Sequence, residues 1–329
     1  MLENVLAETS RMLTMLDTGF PAVHTMSGAE ARALVEARVP PVDNLDDVDR
    51  TEDLGIDAEH GSIPVRVYHP HGEAQPRPVV VFLHGGGFVF CSIESHDGFC
   101  RRLARHTDSV VVSVDYRLAP EHPAPAAAQD AHAAVCWVAD HAERLGVDPD
   151  RIVVAGDSAG GNLAAVVPLM VRDLGGPALA GQVLLYPVLA PDFSTPSYER
   201  YASGHFNTRD AMQWYWQQYV GGDPSSAALP EPAEHVVPLR ATSLAGLPPA
   251  VVVTAGRDPL CSEGEQYAAA LRDADVPVRH RHYPELFHGF LTIGSFGPAG
   301  AARELLWHDM RRLLAHPTGS AASATKEIA

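Results

Sequence analysis

Five short apolar runs, separated by helix-length segments, constrain this 329-residue chain more than any other feature. They are 79–83 (VVVFL), 110–114 (VVVSV), 152–155 (IVVA), 183–186 (VLLY) and 250–253 (AVVV). Runs this short, without polar alternation, fit strands covered on both faces, as in a parallel sheet. A sixth segment, 278–283 (VRHRHY), alternates apolar with polar residues, as an edge strand does. Helical patterns are expected at about 126–145, 159–174, 263–274 and 300–315. Alternating β and α units predict an α/β fold, with a mostly parallel central sheet and helices on both faces.

The rhythm differs elsewhere. Residues 1–48 show helical spacing at Leu2, Val5 and Leu6, at Met12, Leu13 and Leu16, and at Ala31, Leu34 and Val35. Ser27 with Glu30 predicts a capping box. The alternating stretch 63–68, after the turn residues His60 and Gly61, predicts a hairpin. Residues 190–240 carry six prolines and the aromatic segment 214–219 (WYWQQY), which reads as a helical cap inserted into the core. The domain reading is therefore a cap segment 1–48, core 49–189, cap insertion 190–240, core 241–315, and a disordered tail 316–329.

Charge and cysteine content exclude several classes. The net charge of −17 repels phosphate backbones and anionic membrane faces, so neither nucleic acid nor a stable membrane association is expected. No apolar run reaches the ~18 residues of a membrane span, and the N-terminus lacks the pattern of a secretory leader. Cys91, Cys100, Cys136 and Cys261 form no CxxC pair and no zinc-like spacing, so free thiols are expected. The reading is cytoplasmic, with no cofactor and no metal.

The chemistry is carried by 156–160 (GDSAG), a G-x-S-x-G at the junction of the third run and a helix. That turn is so tight that Gly156 and Gly160 must be small, and it holds Ser158 strained with its hydroxyl above the sheet. The helix N-terminus favours developing negative charge there. Upstream, 84–88 (HGGGF) follows the first run. Its glycines free backbone N–H groups to bind an oxyanion together with the Ala159 amide. No Walker lysine and no G-x-G-x-x-G supports a phosphate loop instead.

A nucleophilic serine needs a base and an acid. Asp258 follows the fifth run and His288 follows the sixth, which is the chain order serine, acid, histidine. Asp157 is a weaker acid candidate, because a neighbour of Ser158 cannot easily reach the far nitrogen of His288. His280 and His282 alternate within the edge strand, so packing or solvent is their expected environment.

The residues 84–88 (HGGGF), 115–121 (DYRLAPE), 156–161 (GDSAGG), 258–260 (DPL) and 288–290 (HGF) resemble the bacterial hormone-sensitive-lipase family of esterases, family IV, over about residues 50–315. The resemblance implies an α/β-hydrolase fold with a helical cap. It implies a carboxylesterase acting on short to medium acyl esters with water, through Ser158, Asp258 and His288. It assigns the oxyanion hole to the N–H groups of Gly86, Gly87 and Ala159, and it suggests a homodimer through the edge strand. His84 and residues 116–121 come over as supports of the oxyanion loop and the elbow. Phe88, Phe206, Trp214 and Leu260 are the candidate substrate-pocket residues.

One departure stands out. The family's usual second aspartate in Asp-Pro-Leu-x-Asp-Glu-Gly is Ser262 here, and Ser262 with Glu265 predicts a capping box. Two alternatives remain open. Amide or formamide hydrolysis would use the same triad. A non-catalytic small-ligand receptor would lack the histidine, which this chain keeps at 288.

Overall fold

The computed structural model describes residues 2–73, 76–224 and 228–315. The expected tail, 316–329, lies outside them. Eight strands form one sheet: β1 (Arg50–Ala58), β2 (Gly61–His69), β3 (Arg77–Leu83), β4 (Val110–Val114), β5 (Val147–Asp157), β6 (Gly181–Leu185), β7 (Ala250–Arg257) and β8 (Val278–Phe287). Their order is β1-β2-β4-β3-β5-β6-β7-β8. The β1–β2 and β2–β4 pairs are antiparallel and every other pair is parallel.

Each central strand serves two cores. Val79, Val81 and Leu83 face one side of β3, and Val80 and Phe82 face the other. Helices α4 (Ala126–Asp140), α6 (Ala159–Leu174) and α9 (Cys261–Asp273) cover the first side; α3 (Ile93–Thr107) and α10 (Gly300–Ala315) cover the second. This double burial is why the runs lack polar alternation. The polar strand β8 lies at the sheet edge.

Three elements differ from the sequence expectation. The segment 126–145 breaks at His141 into α4 and a short α5 (Ala142–Leu145). Helix α3 has no counterpart among the expected helices. Its inward face includes His96, Asp97, Arg101 and Thr107, so apolar periodicity does not mark it. Helix α9 starts at Cys261 with no side-chain cap, so the Ser262–Glu265 capping box does not form. Ser262 is already inside the first turn, and its hydroxyl accepts the Ser197 N–H at 3.2 Å instead.

Around the sheet sit α1 (Leu2–Gly19) and α2 (Gly28–Glu36), with the Ser27–Glu30 capping box formed. Residues 190–240 contribute α7 (Pro196–Arg200) and α8 (Arg209–Val220). The Phe206 N–H donates to Asp17 of α1 at 2.7 Å, and the Phe20 and Phe206 rings meet edge to face at 5.1 Å. The two segments thus close on each other. Among the described residues no helix is long and apolar enough to cross a membrane.

Glu263, in the first turn of α9, is 1% exposed. One carboxyl oxygen accepts the Leu189 N–H at 2.9 Å. Burial pushes this carboxyl well above its ordinary value of 4.5 and outweighs that bond. The folded protein therefore keeps a proton that the unfolded chain releases. The resulting stability is complete below the unfolded value and is lost as pH rises toward the folded one. Glu263→Gln is expected to flatten that loss. Melting curves from about pH 4 to about pH 8 should show the variant gaining a few degrees on wild type as pH rises. Parallel curves would show that Glu263 does not titrate in this way.

Candidate active site

The β5–α6 turn carries Ser158 at φ 57° and ψ −116°. A non-glycine residue holds this conformation only where its surroundings impose it. A Cβ on Gly160 would lie 1.9 Å from the Leu83 carbonyl oxygen, and one on Gly156 would lie 2.2 Å from that of Gly160. Glycine at both positions lets α6 start hard against β3. The Ser158 N–H donates to the Leu185 carbonyl at 2.9 Å, and its own carbonyl accepts from Asn162 and Val188, both at 3.1 Å.

Beyond β8, His288 places Nε2 2.9 Å from Ser158 Oγ. Its Nδ1 lies 2.7 Å from Asp258 Oδ2. A carboxylate only accepts, so the ring proton sits on Nδ1 and the Nε2 lone pair faces the serine hydroxyl. Asp258 is fully buried, and its Oδ1 accepts the Leu260 N–H at 3.0 Å. Ser158, His288 and Asp258 thus form one hydrogen-bonded line drawn from three loops at strand ends.

The glycine loop 84–88 follows β3. Gly86 and Gly87 have φ 113° and 60°. A Cβ on Gly86 would meet the Phe90 carbonyl oxygen at 2.1 Å, and one on Gly87 would meet the Tyr215 ring at 2.2 Å. Both glycines line the cavity that holds Ser158. Ala159 opens α6, where the first N–H groups have no acceptor within the helix.

Buried polar groups fix this loop from behind. Burial, aided by the neighbouring His96, pushes the His84 imidazole down to about 3, so it is neutral. Its Nδ1–H donates to the Gly85 carbonyl at 2.7 Å. Tyr116 stacks on His84 and donates its hydroxyl to the His84 carbonyl at 2.6 Å. Asp157, the weaker acid candidate, faces Gly85 and His96, whereas Asp258 faces His288. The Asp157 carboxylate accepts the Gly85 N–H at 2.8 Å and pairs with His96 Nε2 at 3.1 Å. Burial alone would raise the Asp157 carboxyl, but the neighbouring His96 and these hydrogen bonds hold it below its usual range. Arg32 of α2 donates to the Val89 carbonyl at 2.9 Å and pairs with Glu121 at 2.7 Å. Sequence reasoning missed His96 and Arg32. His96 lies in the helix whose polar face hid it, and nothing local marks Arg32.

A cavity of about 370 Å³ opens over Ser158 and His288. Its apolar wall comes from α1 and the turn after it (Leu16, Phe20, Val23), and from Phe90, Phe206 and Tyr215. Of the four expected pocket residues, Phe206 is there. Phe88, Trp214 and Leu260 are not on its lining. Phe88 turns inward and stacks on Tyr219 at 3.7 Å. Trp214 packs edge to face on Tyr215, which takes the cavity-facing position of α8. Leu260 is buried in the core beside Asp258. His280 and His282 lie away from Ser158 and share the Thr254 hydroxyl on β7.

Comparison with known proteins places these observations among relatives. A family model described as the alpha/beta hydrolase fold matches residues 80–292. The carboxylic ester hydrolase LipN of Mycobacterium tuberculosis is 43% identical over 84% of this chain and 72% of its own length. The carboxylesterase NlhH of the same species is 42% identical over 88% and 91%. Ethyl acetate hydrolase of Pseudomonas putida is 35% identical over 83% and 86%. Among solved structures, an ester hydrolase from the metagenome of Lake Arreo superposes with TM-score 0.85 at 37% identity, covering 94% of this chain and 99% of that one.

Proposed function

The chain belongs to the α/β-hydrolase family, in its hormone-sensitive-lipase-like branch, and from that membership we infer that it is a serine carboxylesterase working through Ser158, His288 and Asp258. The observation that carries the roles is the continuous line from Asp258 Oδ2 through His288 to Ser158 Oγ. As the hydroxyl attacks the ester carbonyl, His288 Nε2 takes its proton. The carbonyl oxygen becomes an oxyanion that the N–H groups of Gly86, Gly87 and Ala159 receive. Losing one such donor typically costs about 10²–10³ in rate. When the intermediate collapses, His288 returns the proton to the departing alcohol and Ser158 holds the acyl group. Water then repeats the attack with His288 as base, releasing the carboxylic acid and regenerating the serine. Asp258 keeps the imidazole in its productive tautomer and stabilises the imidazolium.

The segments 1–48 and 190–240 act as a cap over the core 49–189 and 241–315. The cavity they bound limits the acyl chain. Each methylene buried against its wall adds about 0.8 kcal/mol, or about fourfold in kcat/KM. That gain ends when the wall does. On p-nitrophenyl esters, kcat/KM is expected to be greatest between about C2 and C8 and to fall beyond them. A C16 ester turned over faster than a C4 ester would overturn this reading, and no ester turnover at all would overturn the esterase itself. The four cysteines are free thiols, which supports a cytoplasmic setting. The outer edge of β8 is where a homodimer would form; light scattering of a β8-edge proline variant against wild type tests it.

A further inference from the structure

The junction of α9 with β7 and β8 gathers three metal-ligating side chains that the ester chemistry does not use. Cys261 and Glu265 stand four residues apart on α9, hence on one helix face. His282 reaches them from β8. Its Nδ1 lies 3.9 Å from Cys261 Sγ and 3.7 Å from Glu265 Oε1. The three ligand atoms all lie within 4.8 Å of one another.

Those separations have a chemical reading. Zinc binds sulfur at about 2.3 Å and nitrogen or oxygen at about 2.0–2.2 Å, so tetrahedral ligands sit about 3.3–3.8 Å apart. The two His282 separations, 3.9 and 3.7 Å, are within about a tenth of an ångström of that range. A borderline-soft dication suits this mixed donor set, whereas calcium and magnesium call for oxygens. The sulfur is buried, while Glu265 and His282 keep side-chain exposures of 49% and 35%. An ion can therefore enter from solvent without unfolding the protein.

Behind the ligands sits an orienting group. The Thr254 hydroxyl lies 2.9 Å from His280 Nε2 and 3.0 Å from His282 Nδ1. It has one proton and can give it to only one imidazole. Giving it to His280 leaves the oxygen to accept from His282 Nδ1–H, a proton that a metal ion on Nδ1 displaces. Sequence spacing alone shows none of this, because His282 is 21 residues from Cys261 and the pairing of β7 with β8 brings it back.

We propose that Cys261, Glu265 and His282 form a Zn²⁺ site with an open fourth position for water, built on the helix that begins three residues after Asp258. The site is separate from ester hydrolysis and stands whether or not that reading holds. The test uses the full chain stripped of metal and titrated with Co²⁺ as a spectroscopic probe. Wild type is expected to develop a saturable thiolate-to-cobalt charge-transfer band and tetrahedral visible bands at equimolar Co²⁺, both displaced by Zn²⁺. Cys261→Ser should lose the charge-transfer band. Cys136→Ser should keep it, although Cys136 also has a histidine, His132, at 3.8 Å. Glu265→Gln and His282→Ala alter exposed groups and should fold as wild type by circular dichroism, yet bind Co²⁺ about tenfold or more weakly. The absence of a saturable band in wild type would overturn the site. So would a band unchanged in Cys261→Ser, or unchanged affinity in a folded His282→Ala.

Discussion

Ser158→Ala is expected to lower kcat on p-nitrophenyl butyrate by about 10⁶-fold, the loss seen when the nucleophile of a triad is removed. The magnitude follows from what remains. Without Oγ no acyl-enzyme forms, and only the oxyanion donors and the binding cavity act on a direct attack by water. KM should change little, because the cavity wall is untouched. The fold should also survive. Alanine at φ 57° meets the same backbone strain as serine, and the hydroxyl's recorded partner is the His288 ring. Steady-state rates together with thermal melts test this. A folded variant with activity near wild type would remove Ser158 from the mechanism.

Asp258→Asn should cost about 10⁴-fold in kcat with the structure intact. The change is isosteric, and an asparagine oxygen can still accept the Leu260 N–H that Oδ1 now takes at 3.0 Å. What changes is the proton on the ring. The carboxylate 2.7 Å from Nδ1 requires an N–H there. An amide NH₂ in that place favours a bare Nδ1 and puts the proton on Nε2, where the imidazole can no longer accept from Ser158. The loss should fall on kcat, with binding of uncleaved analogues unchanged. A loss below about tenfold would mean that another group orients His288.

The legibility of this site in the sequence was uneven. Ser158 could be read because the elbow is local: a strand, two glycines and a helix within a few residues impose the turn wherever they occur. Asp258 and His288 could be read because each directly follows a strand, and parallel strands bring such ends to one edge of the sheet. The pocket residues were another matter. The 214–219 aromatics identify a packed helix, but whether Trp214 or Tyr215 meets the cavity depends on how α8 is rotated on the core. Phe88 is an expected pocket residue, yet its φ of 65° turns it inward onto Tyr219.

Helix α3 shows the same limit for the fold. Its buried polar side chains are stable there because each meets a partner: His96 meets Asp157, and Asp97 meets Arg101 one turn along the same helix and Arg66 of β2. Hydrophobic periodicity cannot register a polar residue that belongs inside. Ser262 fits a capping motif by spacing, but contact with Ser197 decides its role.

By itself, then, the sequence determined the layered α/β sheet, the nucleophile elbow, the glycine loop and the order of serine, acid and histidine. Each of these follows from patterns within a few residues or from strand order. Tertiary structure alone decided which side chains wall the cavity, that Asp157 and His96 brace the glycine loop while Asp258 faces His288, and that Cys261, Glu265 and His282 converge. The reason is physical: local sequence sets what a segment can become, but a contact between distant segments exists only once packing has chosen the angle and register at which they meet.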